Sequence, residues 1–150
     1  AVIMKFKINY SQNIADKDLI YRKDECSFDM EPWEHLMDLE LVINKLTLTV
    51  IDNQITQLSG FCGLENYISL DSCAPKCPQG VLSIEHNFNH GFAYDVNEND
   101  LPVQLNIESG WVCIGEPLKS GKAVEFIKNC VAVISDEGKL LSLWLKPKFE

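Results

Sequence analysis

The sequence has no long hydrophobic run and contains few of the residues that interrupt regular structure. Only 8 of its 150 residues are glycine and 6 are proline, which excludes collagen-like and low-complexity chains. No stretch reaches the roughly 20 apolar residues that a membrane-spanning helix needs, so we expect no membrane partner. Because 46% of the residues are hydrophobic, the chain can still bury a sizeable core, and we predict a single domain over residues 1–150.

Basic residues are scarce as well. The chain has 13 lysines and arginines against 22 aspartates and glutamates, which gives a formal net charge of −9. Nucleic acid repels an acidic surface of this kind, because a duplex carries about one negative charge per 1.7 Å of its axis. We therefore predict that nucleic acid is not a partner.

Motifs for catalysis and cofactor binding are missing. Ser59-Gly60 and Ser109-Gly110 lack the flanking glycine of a nucleophile elbow. Ser120-Gly121-Lys122 lacks the upstream glycine and the following serine or threonine of a phosphate-binding loop. We predict that the protein is not an enzyme, that it has no catalytic residues and that it needs no cofactor.

Six cysteines are present without an apolar secretory segment. We therefore expect reduced thiols and a cytoplasmic location. Cys113 and Cys130 lie within apolar runs, where a cysteine behaves as a small hydrophobic residue.

Alternating apolar and polar residues dominate the chain and predict strands. The alternation over 46–50, the turn residues 52–54 and a second alternation over 55–58 predict a hairpin. Another hairpin is predicted from 130–134 and 140–145, with Gly138 free to adopt a positive φ in the turn. Both of its strands are apolar on two faces, which places them inside a sheet.

About eight strands, with turn signals every 8 to 12 residues, predict a mainly β fold: an antiparallel β-sandwich or a partly open barrel, with α+β as an alternative. One or two short helices are expected. Pro32 suits the first turn of a helix over 31–38, and a second helix over 122–128 competes with a strand. Residues 81–88 and 92–96 are expected to pair with each other around Asn89-His90-Gly91.

Two cysteines followed by two histidines form the strongest candidate metal site: Cys73, Cys77, His86 and His90. Tetrahedral zinc takes such ligands. In a zinc finger, however, about twelve residues separate the pairs and the histidines share a helix face. Here eight residues intervene, and strand residues four apart are roughly 13 Å from each other. We predict no metal site and keep zinc at these four residues as the alternative.

The middle of the chain is far more acidic than its ends. Residues 24–118 contain sixteen acids and two bases, whereas 1–23 and 119–150 each carry a small net positive charge. One acidic run extends from Asp24 to Glu40 and another from Asp95 to Asp100. Such runs either keep a surface soluble or meet a positively charged partner.

The segments SGWVCIG at 109–115 and LWLKP at 143–147, together with size and charge, resemble the small cytosolic immunity proteins of bacterial polymorphic or contact-dependent toxin systems. The resemblance implies an inhibitor of a basic toxin that cleaves nucleic acid. A carboxylate-rich surface can occupy the basic groove of such an enzyme in place of phosphates. The predicted partner-binding residues are Asp24, Glu25, Asp29, Glu31, Trp33, Glu34, Asp95, Glu98 and Asp100.

This hypothesis requires the two acidic runs to converge on one face. Two other functions stay open. A β domain without enzymatic activity could bind a small molecule or zinc, and an edge strand could pair with another protein without any dependence on charge.

Overall fold

The computed structural model describes residues 4–11 and 14–150, and every regular element within that part of the chain is a strand. Strands are favoured because apolar and polar residues alternate with a period of two. None of the described segments forms a helix that could cross a membrane. The strands are β1 (Phe6–Tyr10), β2 (Asp18–Arg22), β3 (Ser27–Glu31), β4 (Leu39–Ile43), β5 (Lys45–Ile51), β6 (Gln54–Phe61), β7 (Ile68–Ser69), β8 (Gly80–Ile84), β9 (Ala93–Asp95), β10 (Val103–Leu105), β11 (Val112–Gly115), β12 (Lys122–Ile127), β13 (Cys130–Ile134), β14 (Leu140–Leu145) and β15 (Lys148–Phe149).

Two sheets of nine and six strands make up the fold, so the prediction of a mainly β sandwich is confirmed. The nine-stranded sheet has the order β15-β2-β3-β6-β5-β4-β9, with β8 joined to β6 and β1 joined to β8. The six-stranded sheet has the order β12-β13-β14-β11-β10-β7. Most neighbours are antiparallel, but three pairs are parallel, β15 with β2, β4 with β9 and β10 with β7.

The two hairpins predicted from alternation are confirmed. In β5 and β6, Leu48 lies opposite Leu58, and the turn residues Asp52 and Asn53 have φ values of 51° and 62°. In β13 and β14, Val133 lies opposite Ser142 and the register shifts once before a turn in which Gly138 has a φ of 85°. Both strands of this second hairpin lie inside the six-stranded sheet, as their two apolar faces predict.

The expected helix over 31–38 is wrong. In a helix the amide of Asp38 would bond to the carbonyl of Glu34, but here it donates to Val50 O at 2.9 Å. The Glu34 backbone is held instead by the Gln57 side chain, whose Nε2 donates to Glu34 O and whose Oε1 accepts from Glu34 N at 3.2 Å. Residues 122–128, the other helix candidate, contain β12.

The expected pairing of 81–88 with 92–96 is also wrong. β8 pairs with β1 and touches β6, whereas β9 pairs in parallel with β4. The connecting segment is bonded to the start of β4, because Gly91 N donates to Asp38 O and Glu40 N donates to Phe92 O. These bonds hold β9 at the edge of the nine-stranded sheet, away from β8.

A shared hydrophobic core fills the space between the two sheets. Leu41 and Leu48 of the larger sheet and Ile114 and Leu143 of the smaller one belong to the same buried cluster. The far side of the six-stranded sheet is buried as well. There Trp144, beside Cys113, Val131 and Val133, is covered by a segment that includes Leu70, Ala74 and Cys77.

We expect Gln57→Ala to lower the free energy of unfolding by roughly 1–3 kcal/mol, because two backbone groups of Glu34 lose their bonding partner. Gln54→Ala is the matched control, since Gln54 lies on the same strand but is exposed. Its effect should stay within about 0.5 kcal/mol. Urea denaturation measures both variants, and equal losses would show that the Gln57 side chain does not hold this segment.

Candidate partner-binding groove

Both acidic runs reach the same end of the nine-stranded sheet. Ser27 of β3, Phe61 of β6 and Lys45 of β5 lie side by side in one row at this end. Asp24 and Glu25 occupy the turn that leads into Ser27. The β2–β3 turn therefore presents two exposed carboxylates beside the ends of three strands.

The second acidic run is bonded to the neighbouring turn. Asn44 lies between β4 and β5 with a φ of 54°. Its Oδ1 accepts from Leu101 N at 2.8 Å and its Nδ2 donates to Leu101 O at 3.0 Å. Asn97 Nδ2 adds a bond to Asn44 Oδ1 at 3.4 Å. These bonds hold Asp100 beside the strand ends that also carry Asp24 and Glu25.

A groove of about 380 Å³ opens at this end. Buried Leu46, Cys62 and Ile114 belong to its lining, and exposed Lys45, Phe61 and Asp100 lie at its mouth. We call it the acidic groove. The complete lining comprises Cys26, Asn44, Lys45, Leu46, Phe61, Cys62, Gly63, Asp100, Leu101, Val103 and Ile114.

The predicted acids divide into two groups. Three of them are paired with cations: Arg22 Nη2 lies 3.3 Å from both Asp29 Oδ2 and Glu31 Oε1, and Lys17 Nζ lies 3.7 Å from Glu34 Oε1. Hydrogen bonding to Asp29 is the main cause that raises the pKa of Arg22. Among the residues that the structure describes, the other five form no ion pair: Asp24, Glu25, Asp95, Glu98 and Asp100.

The two acidic runs therefore converge only in part, whereas the inhibitor hypothesis requires them to lie on one face. Asp100 lines the acidic groove together with Lys45, the one basic residue of the lining, and Asp24 and Glu25 precede the lining residue Cys26 in the β2–β3 turn. Asp95 and Glu98 line a neighbouring groove of about 530 Å³ with Phe88 and Tyr94, whose rings stack at 4.3 Å. Four strand spacings, roughly 19 Å, separate β3 from β9 in the sheet order.

The structure places Trp33 away from these grooves. Its side chain is half-buried and packs against the core between the sheets, and it belongs to neither lining. Lys17 Nζ donates to the adjacent Pro32 O at 2.8 Å. The position of Trp33 thus fits a packing role better than the anchor role that the sequence predicted.

Phe61 is the residue that sequence reasoning missed. Its side chain is 61% exposed, although it ends a strand whose other apolar residues are buried. Side chains along β6 alternate between the two faces of the sheet. Leu58 faces the core, so Phe61, three residues later, lies on the opposite face. Aromatic side chains, phenylalanine included, are enriched at protein interfaces relative to the rest of the surface.

The alternative zinc ligands do not come together. Cys77 packs over the six-stranded sheet, and Cys73 Sγ lies 3.9 Å from Asn106 Nδ2. His86 Nε2 accepts from the Lys5 amide at 2.8 Å, and His90 Nδ1 lies 4.0 Å from Asp38 Oδ1. Over residues 4–11 and 14–150, no three His, Cys, Asp or Glu side chains are close enough to hold a metal ion.

Two thiols and a phenol lie at the base of the acidic groove. The Tyr21 hydroxyl donates to Cys62 O at 2.7 Å. Burial, with smaller contributions from Cys26 and Cys62, raises the pKa of Tyr21 from its usual 10 to about 12. Burial also raises the pKa of the Cys62 thiol to about 11.

Comparison with known proteins adds no assignment. No protein-family model matches the sequence, and no curated protein matches it significantly.

The raised pKa of Tyr21 predicts a stability loss in alkali. A phenol whose pKa is higher in the folded protein stabilises the fold fully below pH 10, and this contribution is lost as the pH rises towards about 12. Tyr21→Phe should therefore lose stability less steeply than the wild type between these two pH values. Urea unfolding across this range measures the difference, and parallel pH profiles would contradict it.

Proposed function

We propose that the protein is a cytoplasmic inhibitor that binds and neutralises a basic protein, a toxin that cleaves nucleic acid, in the manner of an immunity protein. The observation that carries the proposal is Asp100 and exposed Phe61 in the acidic groove, with exposed Asp24 and Glu25 in the β2–β3 turn next to the lining residue Cys26. The size, the net charge and the resemblance of 109–115 and 143–147 to immunity proteins support it.

The chemistry of the partner follows from the charges. An enzyme that cleaves nucleic acid must attract phosphates, so its substrate groove is basic. Carboxylates that lack an internal cation keep their full charge for such a groove, and the electrostatic attraction accelerates association. Asp29, Glu31 and Glu34 are partly neutralised by Arg22 and Lys17 and contribute less.

The apolar part of the interface is assigned to Phe61. Charges at a rim mainly set the association rate and the choice of partner, whereas buried aromatic anchors supply much of the binding energy. Phe61 is surrounded by groove residues, including half-buried Leu101 and Val103. A basic segment with an apolar side chain at its centre would match this arrangement.

The test compares the wild type with Glu25→Lys/Asp100→Lys as bait for proteins of the source cell. We expect the wild type to capture a basic nuclease at low salt and to abolish its activity at a one-to-one ratio. The double variant should bind this nuclease at least roughly tenfold more weakly than the wild type. Added salt should reduce this difference in affinity. Association rates and inhibition of nucleic-acid cleavage are the measurements.

Asp136→Lys/Glu137→Lys is the matched control. It makes the same change in net charge in the β13–β14 turn, outside both the β2–β3 turn that contains Glu25 and the groove lining that includes Asp100. This variant should inhibit as the wild type does. If both double variants lost the same affinity for the nuclease, the effect would come from net charge and not from the acidic groove. Capture of a protein without nuclease activity would contradict the proposed target.

A further inference from the structure

Cys26 and Cys62 face each other across the ends of two strands. Ser27 pairs with Phe61 and Phe28 with Gly60 in the antiparallel register of β3 and β6. The next pair outward is Cys26 with Cys62, and Cys62 N donates to Cys26 O at 2.9 Å. Cys26 N donates to Lys23 O at 3.4 Å, so the two cysteines share one backbone bond; opposed residues in an antiparallel pair have Cα atoms about 4.5 to 5.5 Å apart. That separation lies within the range of roughly 4.4 to 6.8 Å that a disulfide spans.

The two side chains reach the groove from different surroundings, and the Cys26 Sγ lies 3.6 Å from Lys23 O and 3.9 Å from Glu65 Oε1. Cys62 belongs to the core between the sheets, and both cysteines line the acidic groove. The Tyr21 hydroxyl lies against both residues: it donates to Cys62 O, and both thiols contribute to raising its pKa. Both cysteines therefore lie next to the Tyr21 hydroxyl.

The backbone of Cys26 is unusual for its residue type. Five non-glycine residues of the described chain have a positive φ, and four of them are asparagine or aspartate, the residues that best tolerate this conformation. Cys26 is the fifth, with a φ of 51°. Cysteine rarely adopts this conformation, and a second cysteine lies opposite. Together these features indicate that the Cys26 thiol has a role of its own.

We propose that Cys26 and Cys62 form a reversible disulfide, oxidised by a peroxide. The half-buried Cys26 sulfur attacks the peroxide and becomes a sulfenic acid, while the peroxide leaves as water or an alcohol. The Cys62 sulfur then attacks the Cys26 sulfur and displaces the hydroxyl group, which leaves as water with the thiol proton. Two thiols and one peroxide thus yield one disulfide, and two thiols of a reductant reverse the reaction.

The order of the two cysteines follows from their exposure. Cys26 is half-buried at the groove, whereas Cys62 is buried. The peroxide therefore reaches Cys26 first, and Cys62 acts as the resolving thiol. A disulfide of this kind suits a cytoplasmic protein, where such bonds are usually transient and sense oxidants. The inference stands apart from the proposed function, because it concerns only thiols of this chain.

The first experiment uses the wild-type protein. Reduced protein is treated with hydrogen peroxide, remaining thiols are alkylated, and the digest is analysed by mass spectrometry. We expect a peptide pair joined through Cys26 and Cys62, lighter by two hydrogens, and its loss on treatment with dithiothreitol. The thermal midpoint should rise by roughly 5–10 °C, because the bond closes a long loop in the unfolded chain. A cross-link that joins other cysteines, or none, would overturn the proposal.

Variants separate the two roles. In Cys62→Ser, peroxide should leave a sulfenic acid on Cys26 that dimedone traps, because the resolving thiol is absent. Cys73→Ser is the control, since Cys73 is exposed and lies outside the acidic groove. It should form the Cys26–Cys62 cross-link as the wild type does. Dimedone labelling of Cys73 or Cys77 in place of Cys26 would contradict the assignment of the reactive thiol.

Discussion

The Asn44 side chain bonds both backbone groups of Leu101, and the arrangement of the acidic groove depends on this interaction. Asn44 occupies a left-handed turn conformation that asparagine tolerates well. The residue that forms the turn between β4 and β5 thus also supplies the side-chain amide that anchors the segment before β10. Without these two bonds Asp100 would have no fixed position relative to the β2–β3 turn. The pairing of β9 with β4 supports the same segment from its other end. Asp24 and Glu25 of one acidic run and Asp100 of the other, which are distant in sequence, thereby lie at one end of the larger sheet.

Pairing within the chain decides which of the carboxylates at this surface are free for a partner. Arg22 and Lys17 neutralise part of the charge along β3 and the segment after it, whereas the carboxylates at the β2–β3 turn and beside Leu101 face solvent without a cation of their own. Exposed ion pairs contribute little to stability. The paired acids and the unpaired acids therefore differ mainly in how much negative charge is available to bind a partner. The proposed interface and the proposed Cys26–Cys62 disulfide share this groove.

Much of the fold and the carboxylates at the candidate site could be predicted from local patterns, whereas the contacts that bring those carboxylates together could not. Period-two alternation and turn residues identify the hairpins around Asp52 and Gly138, because register in a hairpin depends on nearby residues. The failures involve contacts between distant segments. Pro32 and its acidic neighbours favour a helix locally, but Gln57 and Val50 take the backbone bonds. Similarly, β9 pairs with β4, and Phe61 is exposed because no covering segment reaches it. Alternation on β6 could have indicated Phe61, whereas no local pattern indicates that Cys26 and Cys62 are opposed.

Hydrogen–deuterium exchange on the protein alone and in complex with the proposed basic partner tests the central claim most directly. The proposed interface predicts that backbone amides of residues 23–26, 61–63 and 97–101 exchange more slowly in the complex, while those of the β13–β14 turn exchange at unchanged rates. Protection confined to the β13–β14 turn or to the strands of the six-stranded sheet, with no change around Asp24, Phe61 and Asp100, would contradict the assignment of the acidic groove as the binding surface.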